Sequence, residues 1–138
     1  MIAIFPERFD KYKSEEDFKV RELNDGTVRI SKTFLGGEKE LKIKLSASSD
    51  ENLDENLAAI GQLIVSLEEM ANQGIMTIER DEGKFHSGMF TFISRQQNVA
   101  GALFLVRDRY MLEIELIGGE SMEEAKQIFA QIDLTKLE

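Results

Sequence analysis

His86 is the single histidine of the 138-residue chain, and the chain has no cysteine. Thiol nucleophiles, disulfides, Fe–S clusters, Cys-ligated zinc and His-rich metal sites within one chain are therefore excluded. A catalytic histidine needs a nucleophile and an orienting carboxylate. Ser87 and Ser94 lie close in sequence but carry no nucleophile elbow, and alternation puts His86 on the face of Gly88, Phe90 and Phe92. It reads as a packed or rim histidine. Glu113 and Glu115 stand two apart on a strand, about 7 Å from one another, a spacing some hydrolytic carboxylate pairs use. An outward strand face produces the same pair by alternation alone, and that is the reading adopted. Asp50, Asn52 and Asp54 match the opening of a calcium loop, but Glu55 stands where the turn demands glycine and Gly61 where a bidentate glutamate belongs. Gly118-Gly119-Glu120-Ser121 precedes a helix, where backbone N–H groups can hold an anion. Glu120, Glu123 and Glu124 would repel a phosphate there, and no lysine stands near in sequence, so the segment reads as a capped turn. No catalytic residue, metal site or cofactor is expected, and the chain is not expected to be an enzyme.

Charge carries more information than these motifs. Seventeen basic and 26 acidic residues give a net charge of -9, against a phosphate backbone or an anionic membrane surface as partner. Residues 1–45 net +1 and residues 46–138 net -10, and no basic residue stands between Lys44 and Arg80. Within that gap lie Asp50, Glu51, Asp54, Glu55, Glu68 and Glu69. The helix dipole favours the first four near an N-terminus but disfavours Glu68 and Glu69 near the C-terminus. Asp54, Glu55, Glu68 and Glu69 are accordingly the candidate partner-binding residues, an acidic face that would steer and dock a basic protein. Lys19, Arg21, Arg29, Lys42 and Lys44, with Lys39 beside them, form a basic stripe, read as a solvated, edge-protecting sheet face. The molecule would then present one positive and one negative side.

The elements that must position these residues follow from periodicity. Residues 1–15 have no clear period and are expected to form an arm or short irregular helix packed through Phe5, Phe9 and Tyr12. A period of two begins at Asp17. Asn24-Asp25-Gly26 turns it, Val28, Ile30, Lys32 and Phe34 share one face, Gly36-Gly37 turns again, and Leu41, Ile43 and Leu45 alternate with charges. Leu53, Leu57, Ile60, Ile64, Leu67 and Ala71 then fall on one helical stripe, widened by Leu63 and Met70, predicting a helix over about residues 50–73. Ser49 or Asp50 would cap it and Gly74 would close it. Strands follow over residues 75–80, 84–95, 99–106 and 110–116, with turns at 81–83, 96–98 and 107–109. Residues 99–106 are apolar on both faces, the mark of a central strand. Ser121-Met122-Glu123-Glu124 is a capping box that opens a closing helix.

The order is βββ-α-ββββ-α, and its short links favour antiparallel neighbours. The fold class expected is α+β: one domain with a mostly antiparallel sheet of about seven strands and two helices packed on it. Over residues 18–137, with a helix ending EEMANQG and a closing SMEEAKQIFAQI, this order resembles the PsbP-like superfamily. That group holds photosystem extrinsic proteins, a Ran-binding import factor and Eag-type secretion chaperones. The resemblance implies a PsbP-like sandwich that binds partners through its surfaces without catalysis, and it carries no functional residues over. Bacterial members are often exported or lipidated, and neither signal is read here.

The function expected is an acidic protein-binding module: a cytoplasmic chaperone, adaptor or immunity-type inhibitor docking a basic or aggregation-prone protein, with no nucleic acid and no membrane as partner. A second possibility is a carrier of a small apolar ligand between sheet and helix, lined by Phe85, Met89, Phe90, Phe92 and Phe104.

Overall fold

The structure, a computed structural model, describes residues 2–24, 26–94 and 98–137. Seven strands form one sheet: β1 (Lys19–Glu22), β2 (Val28–Gly36), β3 (Lys39–Ala47), β4 (Thr77–Glu82), β5 (His86–Ser94), β6 (Asn98–Val106) and β7 (Tyr110–Ile117). Among the described residues two α-helices accompany it, α1 (Leu53–Asn72) between β3 and β4, and α2 (Met122–Ala130) after β7. The strand order is β1-β2-β3-β7-β6-β5-β4, with every neighbouring pair antiparallel. The predicted α+β class and element order are what the structure shows.

Register assigns each residue to a face. Leu41, Ile43 and Leu45 stand opposite Leu116, Ile114 and Leu112, which in turn stand opposite Ala100, Ala102 and Phe104. All nine are buried in one core. The residues between them point to the other face, where Lys42 meets Glu115 and Lys44 meets Glu113. A slip of one residue would drive those four charges into the core, so the pairing is strongly specified.

The inner face is densely covered over β2, β3, β7, β6 and β5, while Val20 of the edge strand β1 stays exposed on it. α2 buries Ala125 and Ile128, and Phe129 stacks on Phe104 with centroids 4.4 Å apart. Phe90 and His86 meet the same two rings edge-on. The N-terminal arm fills the rest through Ile4, Phe9 and Tyr12, as its aromatics led one to expect, while Phe5 stacks on Phe18. The C-terminal residues Leu134 and Leu137 close the core, and the Asp133 N–H donates to the Ile4 carbonyl at 2.9 Å.

Several boundaries differ from the sequence reading. The predicted helix begins as a 3₁₀ turn, Asp50–Asn52, and Ser49 precedes it without a side-chain cap. Gly74 closes α1 with φ +77°, as expected. β4 runs on through Asp81 and Glu82, which were expected in the turn. Of the hairpin signals, Asp25 and residues 95–97 lie outside the described residues.

Two glycines set a test of this packing. A Cβ on Gly88 would strike the Leu103 carbonyl oxygen and come within 2.8 Å of the Phe104 Cα, both backbone atoms that cannot step aside. A Cβ on Gly61, mid-helix in α1, meets nothing within 4 Å. Gly88→Ala should therefore cost about 1–3 kcal/mol by overpacking, whereas Gly61→Ala should stabilise by about 0.5–1 kcal/mol. Urea titration of both variants checks this, and equal signs would contradict the placement of the two residues.

Candidate functional site

Among the described residues, α1 is the one α-helix on the outer face, with Leu23 and Met76 from the neighbouring loops beside it. Six inter-strand spacings make the sheet about 29 Å wide, and one helix spans about 10 Å of that. α1 starts at the β2–β3 end, where Asn56 Nδ2 donates to Ser48 Oγ at 2.9 Å and Thr27 Oγ1 at 3.3 Å. It finishes at the far edge, where Glu68 pairs with Arg80 of β4. The helix thus crosses the sheet obliquely and leaves a corner uncovered over β1, β2, β3 and β7.

The predicted stripe does face the sheet, but its burial is shallow. Ile60 is the one residue of α1 that is fully buried, while Leu53, Leu57, Ile64, Leu67 and Met70 are half-buried. Leu63 remains 39% exposed and Val65 54%. The reason lies beneath the helix. The sheet residues there include Arg29, Ser46, Lys44 and Glu113, which an apolar helix face cannot pack against as tightly as Phe129 packs on Phe104.

Two hollows follow from this imperfect fit. One of about 190 Å³ lies beside the first half of α1, between Leu23, Met111, Ala59 and Leu63. The other, about 430 Å³, runs between Leu63 and Leu67 of α1 and Ile93, Val99 and Leu103 of the sheet. Lys42, Lys44, Glu113 and Glu115 form its polar side. Gly101 lies in its floor, too close to the Ile114 carbonyl and Thr91 Oγ1 to carry a side chain without displacing them.

Asp54, Glu55 and Glu69 are exposed on α1, and none forms an ion pair among the described residues. Glu68 differs from them, because its carboxylate is held by Arg80. Asp50 in the preceding turn pairs with Arg109 at 2.5 Å. Helical geometry places Asp54 and Glu69 about 22 Å apart along the axis, with Leu63 and Val65 between them.

The basic stripe lies on this same outer face, through the register Lys19–Ser31–Lys44 and Arg21–Arg29–Ser46. Expected positive and negative sides of the molecule thus become neighbouring patches on one side. Lys39 is the exception, since it turns to the inner face and pairs with Glu124 at 2.9 Å. The proposed aromatic cavity is also corrected. Phe90 and Phe104 fill the inner core with Phe129, and Met89 points to the opposite face of the sheet.

Glu113 and Glu115 stand on the outer face as read, each opposite a lysine. The His86 Nε2–H donates a hydrogen bond to Asp81 Oδ2 at 2.7 Å, and the ring packs edge-on to Phe104 and Phe129, as a structural histidine does. The described residues contain no cluster of His, Asp and Glu fit to hold a metal ion, and none of their helices is long and apolar enough to cross a membrane.

A third polar locus joins the arm, the β2–β3 turn and α2. The capping box forms only in half: the Ser121 hydroxyl makes no cap bond, while Glu124 Oε1 accepts from the Glu120 N–H at 2.6 Å. Lys39, distant in sequence, supplies the cation that the local sequence lacked. Burial alone would raise the Glu124 carboxyl, but the Glu120 N–H and the Lys39 ammonium outweigh it and hold it below the usual range. Tyr12 is pushed up by burial and by the neighbouring Glu124 charge.

No protein-family model, curated protein or solved structure matches the chain.

What the sequence reading missed is the groove. Leu63 reads as a widening of the stripe and Val99 as the start of an apolar strand, but nothing local says that α1 leaves them partly open.

Because the folded-state Glu124 carboxyl titrates lower than in the unfolded chain, it adds stability above the unfolded-chain range, lost as pH falls through its own. Glu124→Gln should lower stability at neutral pH and flatten the acid limb of a stability–pH profile. An acid limb identical to wild type would contradict the role given to the Lys39–Glu124 pair.

Proposed function

We propose that this chain is a non-enzymatic protein-binding module of the chaperone, adaptor or immunity-inhibitor kind. It docks a basic or aggregation-prone protein on α1 and the open sheet beside it. The observation that carries this reading is the exposure of Leu63 and Val65 on a helix whose Asp54, Glu55 and Glu69 have no ion-pair partner among the described residues. Carboxylates facing water raise the local concentration of a basic partner and orient it, which acts mainly on the association rate. Apolar side chains of the partner then enter the groove under Leu63 and Leu67, and their desolvation slows departure. Glu68 contributes to the field but is committed to Arg80. A cytoplasmic setting and a PsbP-like ancestry belong to the same proposal; the cysteine-free composition suits the first and the element order the second.

A second reading rests on the groove itself. At about 430 Å³ it falls within the range of small-molecule sites, and its walls of Leu63, Leu67, Ile93, Val99 and Leu103 suit an apolar ligand. Native mass spectrometry of the purified protein separates the two, since a carrier would hold a stoichiometric small molecule.

Reversing Asp54, Glu55 and Glu69 to lysine tests the first reading while leaving the Glu68–Arg80 pair intact. The variant should keep its circular dichroism spectrum but lose, by about tenfold or more, the basic proteins that the wild type captures from its native lysate at low salt. Capture of the same proteins in the same yield by the reversed variant would overturn the proposal.

A further inference from the structure

We infer that the outer face pairs with the outer face of a second copy of this chain, the α1 of each lying on the β1–β3 corner of the other. The inference rests on the docking role proposed for α1 and names one basic partner that fits it. The corner offers Lys19 and Arg21 on the exposed edge strand β1 and Lys42 and Lys44 on β3, all pointing outward by register. Between them stand Ser31 and Thr33, side chains short enough to let a helix approach. Lys42 and Lys44 stand opposite Glu115 and Glu113 in the register of the same chain, whereas Lys19 and Arg21, on the edge strand, have no carboxylate opposite them and form no ion pair among the described residues. The patch is two strand spacings wide and three side-chain rows long, about 10 by 14 Å.

One molecule therefore carries an acidic, partly apolar helix and, beside it on the same face, a basic corner with no helix over it. A two-fold axis running alongside α1, on its β3 side, carries α1 of one copy over the corner of the other. The two helices then form a single layer between the two sheets, and the Asp54–Glu55 end of each meets Lys19 and Arg21 of its mate. Such a contact is isologous and closes on itself. It also brings Leu63 and Val65 out of water. Each copy has a net charge of -9, so the attraction is local and competes with a longer-range repulsion.

Sedimentation equilibrium on the full chain tests this, from micromolar to near-millimolar protein and at low and high salt. Two variants are compared with wild type: a helix-reversed chain (Asp54→Lys, Glu55→Lys) and a sheet-reversed chain (Lys19→Glu, Arg21→Glu). Wild type should form a dimer, and each variant alone should be monomeric, because its helix and its corner carry like charge. An equimolar mixture of the two should restore a dimer, a result that misfolded chains cannot give. A wild type that stays monomeric under all these conditions, or a mixture that does not associate, would overturn the inference. Neither outcome touches the docking of other basic proteins on α1, which the capture experiment judges by itself.

Discussion

The alternation of side chains across β3, β7 and β6 is the constraint on which the rest of the molecule depends. In one register, nine apolar residues from Leu41 to Phe104 meet on a single face, while on the other Lys42 and Lys44 stand opposite Glu115 and Glu113. Everything that follows is a consequence of how those two faces can be covered. The apolar face admits a dense cover of aromatic rings, aliphatic side chains and the N-terminal arm. The charged face admits only a helix that touches it at intervals.

That difference separates the two helices in energy as well as in place. α2 is short, nine residues, yet Ala125 and Ile128 are fully buried and Phe129 stacks in the aromatic cluster. α1 has 20 residues and one fully buried side chain, Ile60. Helices gain most of their stability from packing an apolar face, so α1 is the helix with less to lose when it moves or exchanges neighbours. Its polar ties, Asn56 to Ser48 and Glu68 to Arg80, are at its two ends. An element fixed at both ends and open along its middle suits a surface that must accept another molecule.

Much of this architecture was legible in the residues themselves. Period-two alternation in Leu41, Ile43 and Leu45, the 3.6 stripe from Leu53 to Ala71 and the apolar run of 99–106 reported local environments that the sheet then supplied. The acidic gap between Lys44 and Arg80 marked α1 as unusual before any geometry. What could not be read was long-range. Lys39 reaches Glu124 across 85 positions, and Arg80 neutralises Glu68 from the next strand, so neither pairing follows an i,i+4 rule. The side of the sheet on which α1 lands decides whether the acidic and basic patches are opposed or adjacent. The aromatic residues suggested a cavity because they are large, whereas in the fold their size is what fills the core.

Native-state hydrogen exchange of the α1 amides tests the central claim, that α1 is a loosely held, outward-facing element. Opening free energies should fall clearly below those of α2 and of β6 and β7, with the middle of α1, around Gly61 and Val65, exchanging through a sub-global opening that leaves the sheet intact. Protection across α1 equal to that of β6 and β7, exchanging only with global unfolding, would contradict the account, because α1 would then be a structural cover and not a surface held ready for a partner.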